Sequence, residues 1–216
     1  MFLSLLASVI VRHGAIMVSN NLPVTAEQLR NFESLCSNGR KAGIVVIDVD
    51  KDEWPDRFEL SELIRKSGFE NTAHARFEKA EPKQLKFLEE LISGSQAVIV
   101  AGHDEPSILR VFGRDWCQQI FGKFIERGGT WFGIGPGAKV LGDRMLVGDK
   151  TQPGLSLFDG IITTDYYAKH NEIPLRNAYF GSRLQLGIGL NRDEWMIFRD
   201  GLIEKKVGTP QVFLRE

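Results

Sequence analysis

Two short runs constrain this chain more than anything else in it: residues 43–48, GIVVID, and residues 97–101, AVIVA. Neither alternates apolar with polar residues. A strand with one wet face does alternate, so a continuous β-branched run marks a strand covered on both faces. Segments with helical spacing lie around them. Thr25-Ala26-Glu27-Gln28 is a capping box; Leu29, Phe32, Leu35 and Cys36 then share one face, and Gly39 is read as the end of that helix. Pro55 opens a second helix at its first position, with Phe58, Leu60, Leu63 and Ile64 as its apolar side and Gly68 as its stop. Pro82 begins a third, carrying Leu85, Leu88, Leu91 and Ile92 up to Gly94. Asp115 is read as the cap of a fourth, with Trp116, Ile120, Phe121, Phe124 and Ile125 turned inward and Gly128-Gly129 closing it.

Further strands are expected at residues 15–18, 73–77, 160–163 and 186–189, with a helix over 174–184. Residues 195–198 and 202–207 flank an Asp200-Gly201 turn and, with 212–214, read as a C-terminal hairpin or meander. Strands alternating with helices imply a mainly parallel sheet with helices on both faces. The fold class expected is therefore α/β, a three-layer sandwich around a mainly parallel central sheet, with a C-terminal β-hairpin. No repeat or long linker divides the 216 residues, so one domain is expected over 1–216, with residues 1–12 as an apolar N-terminal extension.

Composition excludes several classes of function. The 27 basic and 28 acidic residues nearly cancel, which argues against nucleic acid and against a membrane surface as partner. The apolar start is too short to span a bilayer, and Arg12 and His13 follow it where a secretory signal would have charge in front; a cytoplasmic protein is expected. Cys36 and Cys117 both fall inside helical patterns and read as buried thiols. No C-x-x-C or H-E-x-x-H spacing exists, so neither a metal nor a cofactor is expected.

In a parallel α/β sheet, ligands sit beyond the C-terminal ends of the strands. That rule selects the loops at 19–21, 49–52, 102–105 and 135–138. The last is the most telling. Thr130-Trp131-Phe132-Gly133-Ile134 enters a glycine-dense turn, Gly135-Pro136-Gly137-Ala138, and a helical signal leaves it. G-x-G-x-G here is the spacing of the nucleophile elbow G-x-S-x-G with glycine in place of serine. Gly133-x-Gly135-x-x-Ala138 also fits a dinucleotide fingerprint, but the strand comes late in the chain and no acidic residue ends a second strand where one is needed. The N–H groups of Gly137 and Ala138 could instead face an anion.

The order of motifs resembles the cyanophycinase and dipeptidase E family of serine peptidases, within the class I glutamine amidotransferase-like superfamily. The family's G-G-D-Q-type loop corresponds to Gly102-His103-Asp104-Glu105, and its G-T-S-A-G-A elbow to Gly133-Ile134-Gly135-Pro136-Gly137-Ala138. Its G-L-G-L-L-P-G-V-I-I-D-Q-H segment corresponds to Gly154 through Tyr166, and its G-I-G-I-D-E-D-T-A segment to Gly187 through Trp195. The likeness runs over about residues 13–214. The departures fall on the catalytic positions: Gly135 stands where the resemblance implies the serine, Pro136 where it implies alanine, and Tyr166 where it implies the base histidine. The segment between elbow and base position is short and leaves the third triad member unassigned.

What the resemblance implies is a catalytically inactive relative, with a cleft for a small peptide-like or acidic ligand lined by Gly102, His103, Asp104, Glu105, Gly135, Pro136, Gly137, Tyr166, Tyr167 and His170. Each has a plainer reading: His103-Asp104-Glu105 as a helix-capping loop, and Tyr166, Tyr167 and His170 as an aromatic wall. Cys117 and the four tryptophans read as core and hydrophobic surface. Two other functions compete: a hydrolase using His103, Glu105, Tyr166 and His170, acting on Asp-containing or isopeptide substrates, and a structural protein that forms a homodimer.

Overall fold

The continuous apolar runs become the middle of a sheet with a core on each face. The computed structural model describes residues 14–20, 24–49, 58–102 and 106–215. In chain order the elements are β1 (Ala15–Ser19), α1 (Ala26–Leu35), β2 (Ile44–Val49), α2 (Phe58–Lys66), β3 (Thr72–Phe77), α3 (Pro82–Gly94), β4 (Ala97–Gly102), α4 (Ser107–Phe112), α5 (Arg114–Glu126), β5 (Thr130–Ile134) and α6 (Pro136–Lys139). They continue with β6 (Gly142–Val147), β7 (Lys150–Pro153), β8 (Phe158–Thr164), α7 (Glu172–Phe180), β9 (Leu186–Leu190), β10 (Trp195–Arg199), β11 (Leu202–Val207) and β12 (Gln211–Leu214).

The central sheet has the order β11-β10-β1-β5-β4-β2-β3. Its five strands from β1 to β3 are parallel, and the β10–β11 hairpin adds antiparallel to β1. Along β2 the side chains divide between two cores: Ile44 and Val46 pack with Leu29 and Phe32 of α1 and Leu60 and Ile64 of α2, while Val45, Ile47 and Val49 pack with Leu88 and Ile92 of α3 and Phe121 and Phe124 of α5. That division is why GIVVID has no polar alternation. The hairpin turns at Asp200-Gly201 with φ of 49° and 79°, the two positive values that a tight two-residue hairpin turn demands. Among the described residues, no helix is long and apolar enough to cross a membrane.

A second sheet, β12-β9-β8-β6-β7, was not expected. Its β6, β8 and β9 are parallel, with β7 and β12 antiparallel at the edges. Met145, Ile162 and Ile188 turn into the core shared with α5, and Leu146 and Ile161 pack on the other side against Leu175 and Tyr179 of α7. The tail is therefore not one meander: β12 leaves the hairpin and pairs with β9.

Several boundaries differ from expectation for local reasons. α1 ends at Leu35, and Gly39, with φ of 52°, instead opens a single 3₁₀ turn. Asp115 lies inside the first turn of α5; Gly113, with φ of 78°, is the residue that turns the chain from α4 into α5. The helix expected over 174–184 spans Glu172–Phe180 and stops at Gly181. The 1–12 extension, Pro55 at its helix start and the 103–105 loop lie outside the described residues.

Candidate functional site

β5 ends at Ile134, in the middle of the parallel array between β1 and β4, and the chain reverses there into α6. Gly135 makes the reversal at φ 54°, ψ −116°. That region is sterically closed to most residues with a Cβ and open to glycine. Pro136 then occupies the first helical position, where its fixed φ suits the turn and its missing N–H breaks no helical bond.

The three glycines of the elbow are needed for two different reasons. Gly135 supplies the backbone angle. Gly133 and Gly137 supply contact: a Cβ on Gly133 would lie 2.4 Å from the Gly137 carbonyl oxygen, and one on Gly137 would lie 1.9 Å from that of Val100. Their absence of side chain lets α6 press directly on β4 and β5. The Trp131 indole N–H reaches the Gly137 carbonyl at 3.3 Å and fastens the same contact from the strand side.

The backbone groups of the turn are largely engaged. The Gly135 N–H donates to the Ser19 carbonyl at 3.0 Å, tying the elbow to the end of β1. The Gly135 carbonyl accepts from Ala138 (2.9 Å) and Lys139 (3.2 Å). The Ala138 N–H is therefore already used and does not face outward as an anion donor. Lys139 itself is buried to 2% exposure directly behind the turn. Gly102, at the end of β4, lies beside Pro136: a Cβ there would be 3.4 Å from the proline Cβ and 3.0 Å from Ser107 Oγ. Gly102 and Pro136 are thus in contact, while Gly102, Gly135 and Gly137 are buried. His103, Asp104 and Glu105 are outside the described residues.

Tyr166, Tyr167 and His170 follow β8 and divide among different environments. Tyr166 is buried, its ring lying over Gly189, where a Cβ would come within 2.4 Å of it, and it belongs to the small core with Leu175 and Tyr179. Burial first, then Tyr167 and Glu172, pushes its phenol above the ordinary value. It stays protonated at neutral pH and is a poor proton acceptor. Tyr167 is exposed with its ring 4.9 Å from that of Tyr166, and His170 is an exposed turn residue at φ 51° whose N–H donates to the Tyr167 carbonyl.

What joins this loop to the elbow is a set of buried polar side chains, of which sequence reasoning selected only those of the 19–21 loop. Asn20, 2% exposed at the end of β1, donates through Nδ2 to Asp165 Oδ1 and accepts the Asp165 N–H at Oδ1, both at 3.0 Å. Next to it, Gln28 donates to Ser19 Oγ at 2.8 Å while accepting the Thr25 N–H at 2.7 Å, so one side chain both completes the capping box and braces β1. On the far side, Asn191 accepts the Tyr167 N–H, and Glu194 accepts from Asn191 and from Thr209. The only signal in the chain is position: Ser19-Asn20 immediately follows an apolar strand, at an end that the parallel topology selects.

Chemically, the turn is a strand-to-helix reversal with no side chain at its apex and a proline after it. Gly135 has no side chain to attack an acyl carbon. Pro136 has no N–H where the residue after a nucleophile normally donates to the oxyanion.

No family model matches the chain, and no curated protein matches it. Solved structures do. A peptidase from an acI-B1 actinobacterium is 16% identical over 94% of this chain and 90% of its own, with a TM-score of 0.65. A protein provisionally assigned as peptidase E, from Listeria monocytogenes EGD-e, is 12% identical over 90% of this chain and 99% of its own, with a TM-score of 0.67. At these identities the likeness is one of fold: the chain has the mixed α/β fold of these peptidase structures.

Proposed function

We propose that this chain is a catalytically inactive relative of the cyanophycinase and dipeptidase E type of serine peptidase, one that keeps the fold and the elbow but not acyl transfer. The observation that carries the reading is the pair Gly135-Pro136. Glycine at φ 54°, ψ −116° holds the angle of an elbow with nothing to present from it. A covalent acyl mechanism needs a nucleophile and a base within hydrogen-bond reach of it. Neither Gly135 nor the buried, protonated Tyr166 supplies one. Losing a single oxyanion donor typically costs on the order of 10²–10³ in rate, and proline removes that donor as well. Peptidase fold neighbours support the relation to peptidases, and a retained peptide-like ligand is expected at the C-terminal ends of the parallel strands, beside Gly135 and residues 166–170.

A serine-reactive fluorophosphonate probe tests this reading. Wild-type protein is expected to remain unlabelled at concentrations that label an active serine peptidase to completion. Stoichiometric labelling that is blocked by prior denaturation would overturn it.

A further inference from the structure

Positive-φ backbone in this molecule is not confined to the glycine of the elbow. Ser156 has φ of 54°, a left-handed conformation that residues with a Cβ rarely adopt. Its Oγ donates to Asp143 Oδ1 at 2.7 Å and its N–H to the Gly142 carbonyl at 3.0 Å. The segment just before it is clamped as well, by Arg114 donating to the Gly154 carbonyl at 2.8 Å. A strained residue that the surroundings over-determine is a pointer to function.

Ser156 opens onto a cleft of about 420 Å³ between the starts of β6 and β8 and the turn that leads into β9. That volume lies in the range of small-molecule sites. Phe158 and Leu184, both buried, give it apolar lining; Asp143, Asp159, Arg144 and Arg183 give it charge. These charges do not simply satisfy one another. Asp143 and Arg144 form only a loose ion pair at 3.9 Å, Asp159 Oδ1 accepts one long hydrogen bond from Gln185 at 3.4 Å, and the Arg183 guanidinium has no ion pair or hydrogen bond among the described residues. The wall that carries Arg183 is held in place by Arg215, which donates to the Ser182 carbonyl at 2.7 Å.

We propose that this cleft is a binding site for a small zwitterion, a molecule of amino-acid to dipeptide size bearing one carboxylate and one ammonium group. Two arginines and two aspartates cancel, so a simple anion or cation meets repulsion along with attraction, whereas a ligand of both signs meets a partner at each end. Arg183 receives the carboxylate, for which a guanidinium is suited by its paired donors, and the aspartates receive the ammonium. The site is separate from the elbow. It lies at the N-terminal ends of the parallel strands β6 and β8, and the elbow-side residue Asp165 follows the other end of β8, about 20 Å away along the strand. It does not depend on whether the elbow is catalytic.

The test is an NMR titration of the full chain with L-alanine, γ-aminobutyrate and L-alanyl-L-alanine, three zwitterions of different charge separation. At least one is expected to shift the amide signals of residues 143–144, 156–159 and 182–184. N-acetylation or C-amidation of that ligand should weaken binding at least about tenfold, as should Arg183→Ala and Asp159→Asn in variants that keep the wild-type melting profile. No shift with any of the three, equal binding of capped and uncapped ligand, or shifts confined to residues 135–137 and 166–170 would overturn the proposal.

Discussion

At the scale of single residues, the elbow shows that one spacing can be met for unlike reasons. G-x-G-x-G looks like a repeat of one requirement, yet Gly135 answers to a backbone angle while Gly133 and Gly137 answer to contact with Gly137 and Val100. The absence of a side chain at Gly135 and of an N–H at Pro136 could be read from the sequence directly. The contact role of Gly137 could not, because Val100 is brought to it only by the folding of β4 beside β5. This difference is measurable. Gly137→Ala puts a methyl group 1.9 Å from a backbone oxygen that cannot move without the sheet, and should cost about 3 kcal/mol or more in urea unfolding. Gly94→Ala, at the end of α3 with open space around it, should be neutral or stabilise by up to about 1 kcal/mol. Equal effects of the two would remove the close-packing explanation of the elbow.

At the scale of elements, legibility followed burial. The strands with two covered faces, β2 and β4, and the helices with a clean apolar stripe, α1 and α3, were evident in the chain. β7 was not, since all four of its residues are exposed and carry no pattern. α4 was not, since six residues are too few to show a period. β12 was seen as a strand but put in the wrong sheet, because Val212 to Leu214 says nothing of its partner and the turn before it reads as a continuation of the hairpin. The joint between β1 and the 165–171 segment also depends on pairing across 145 residues of sequence. Asn20→Ala removes both bonds to Asp165 and should cost about 1–3 kcal/mol. Because that joint is one of the ties of the loop, amide hydrogen exchange at Tyr166 and Asn171 should accelerate more than at the centre of β4. Uniform acceleration across the protein would mean that Asn20 supports the whole fold and not this loop.

At the scale of the whole molecule, the two cysteines report on both cores at once. Cys36 lies in the core under α1 and α2, and Cys117 in the core under α3 and α5. Both are free and buried, as expected, although Cys36 caps α1 and does not lie inside it. Burial pushes each thiol up to about 12, with Glu33 adding to the effect at Cys36. The folded protein therefore holds protons that the unfolded chain, near its ordinary value of 9.0, gives up. A raised folded value means stability that is complete below pH 9 and lost as pH rises toward 12, by about 1.4 kcal/mol per pH unit for each thiol in that window. In urea unfolding, wild-type stability should thus fall more steeply between about pH 9 and 11 than that of the Cys36→Ala/Cys117→Ala variant. Parallel curves would show that the thiols are not shielded.

The chain has the mixed α/β fold of the peptidase structures it resembles, and in the function proposed above Gly135, Pro136 and Tyr166 stand where a nucleophile, an oxyanion donor and a base would act. On that proposal, acyl transfer would need all three positions changed. The Gly135→Ser variant makes this plain: it restores the hydroxyl, at a strain cost of about 1–3 kcal/mol for a side chain at this backbone angle, but neither a base nor the donor lost at Pro136. The most direct measurement is hydrolysis of Asp-X and β-aspartyl dipeptides by wild type and by Gly135→Ser, followed by release of free amino acid. Both proteins are predicted to match the enzyme-free blank, and saturable turnover by either one would contradict the claim that this elbow has lost its chemistry.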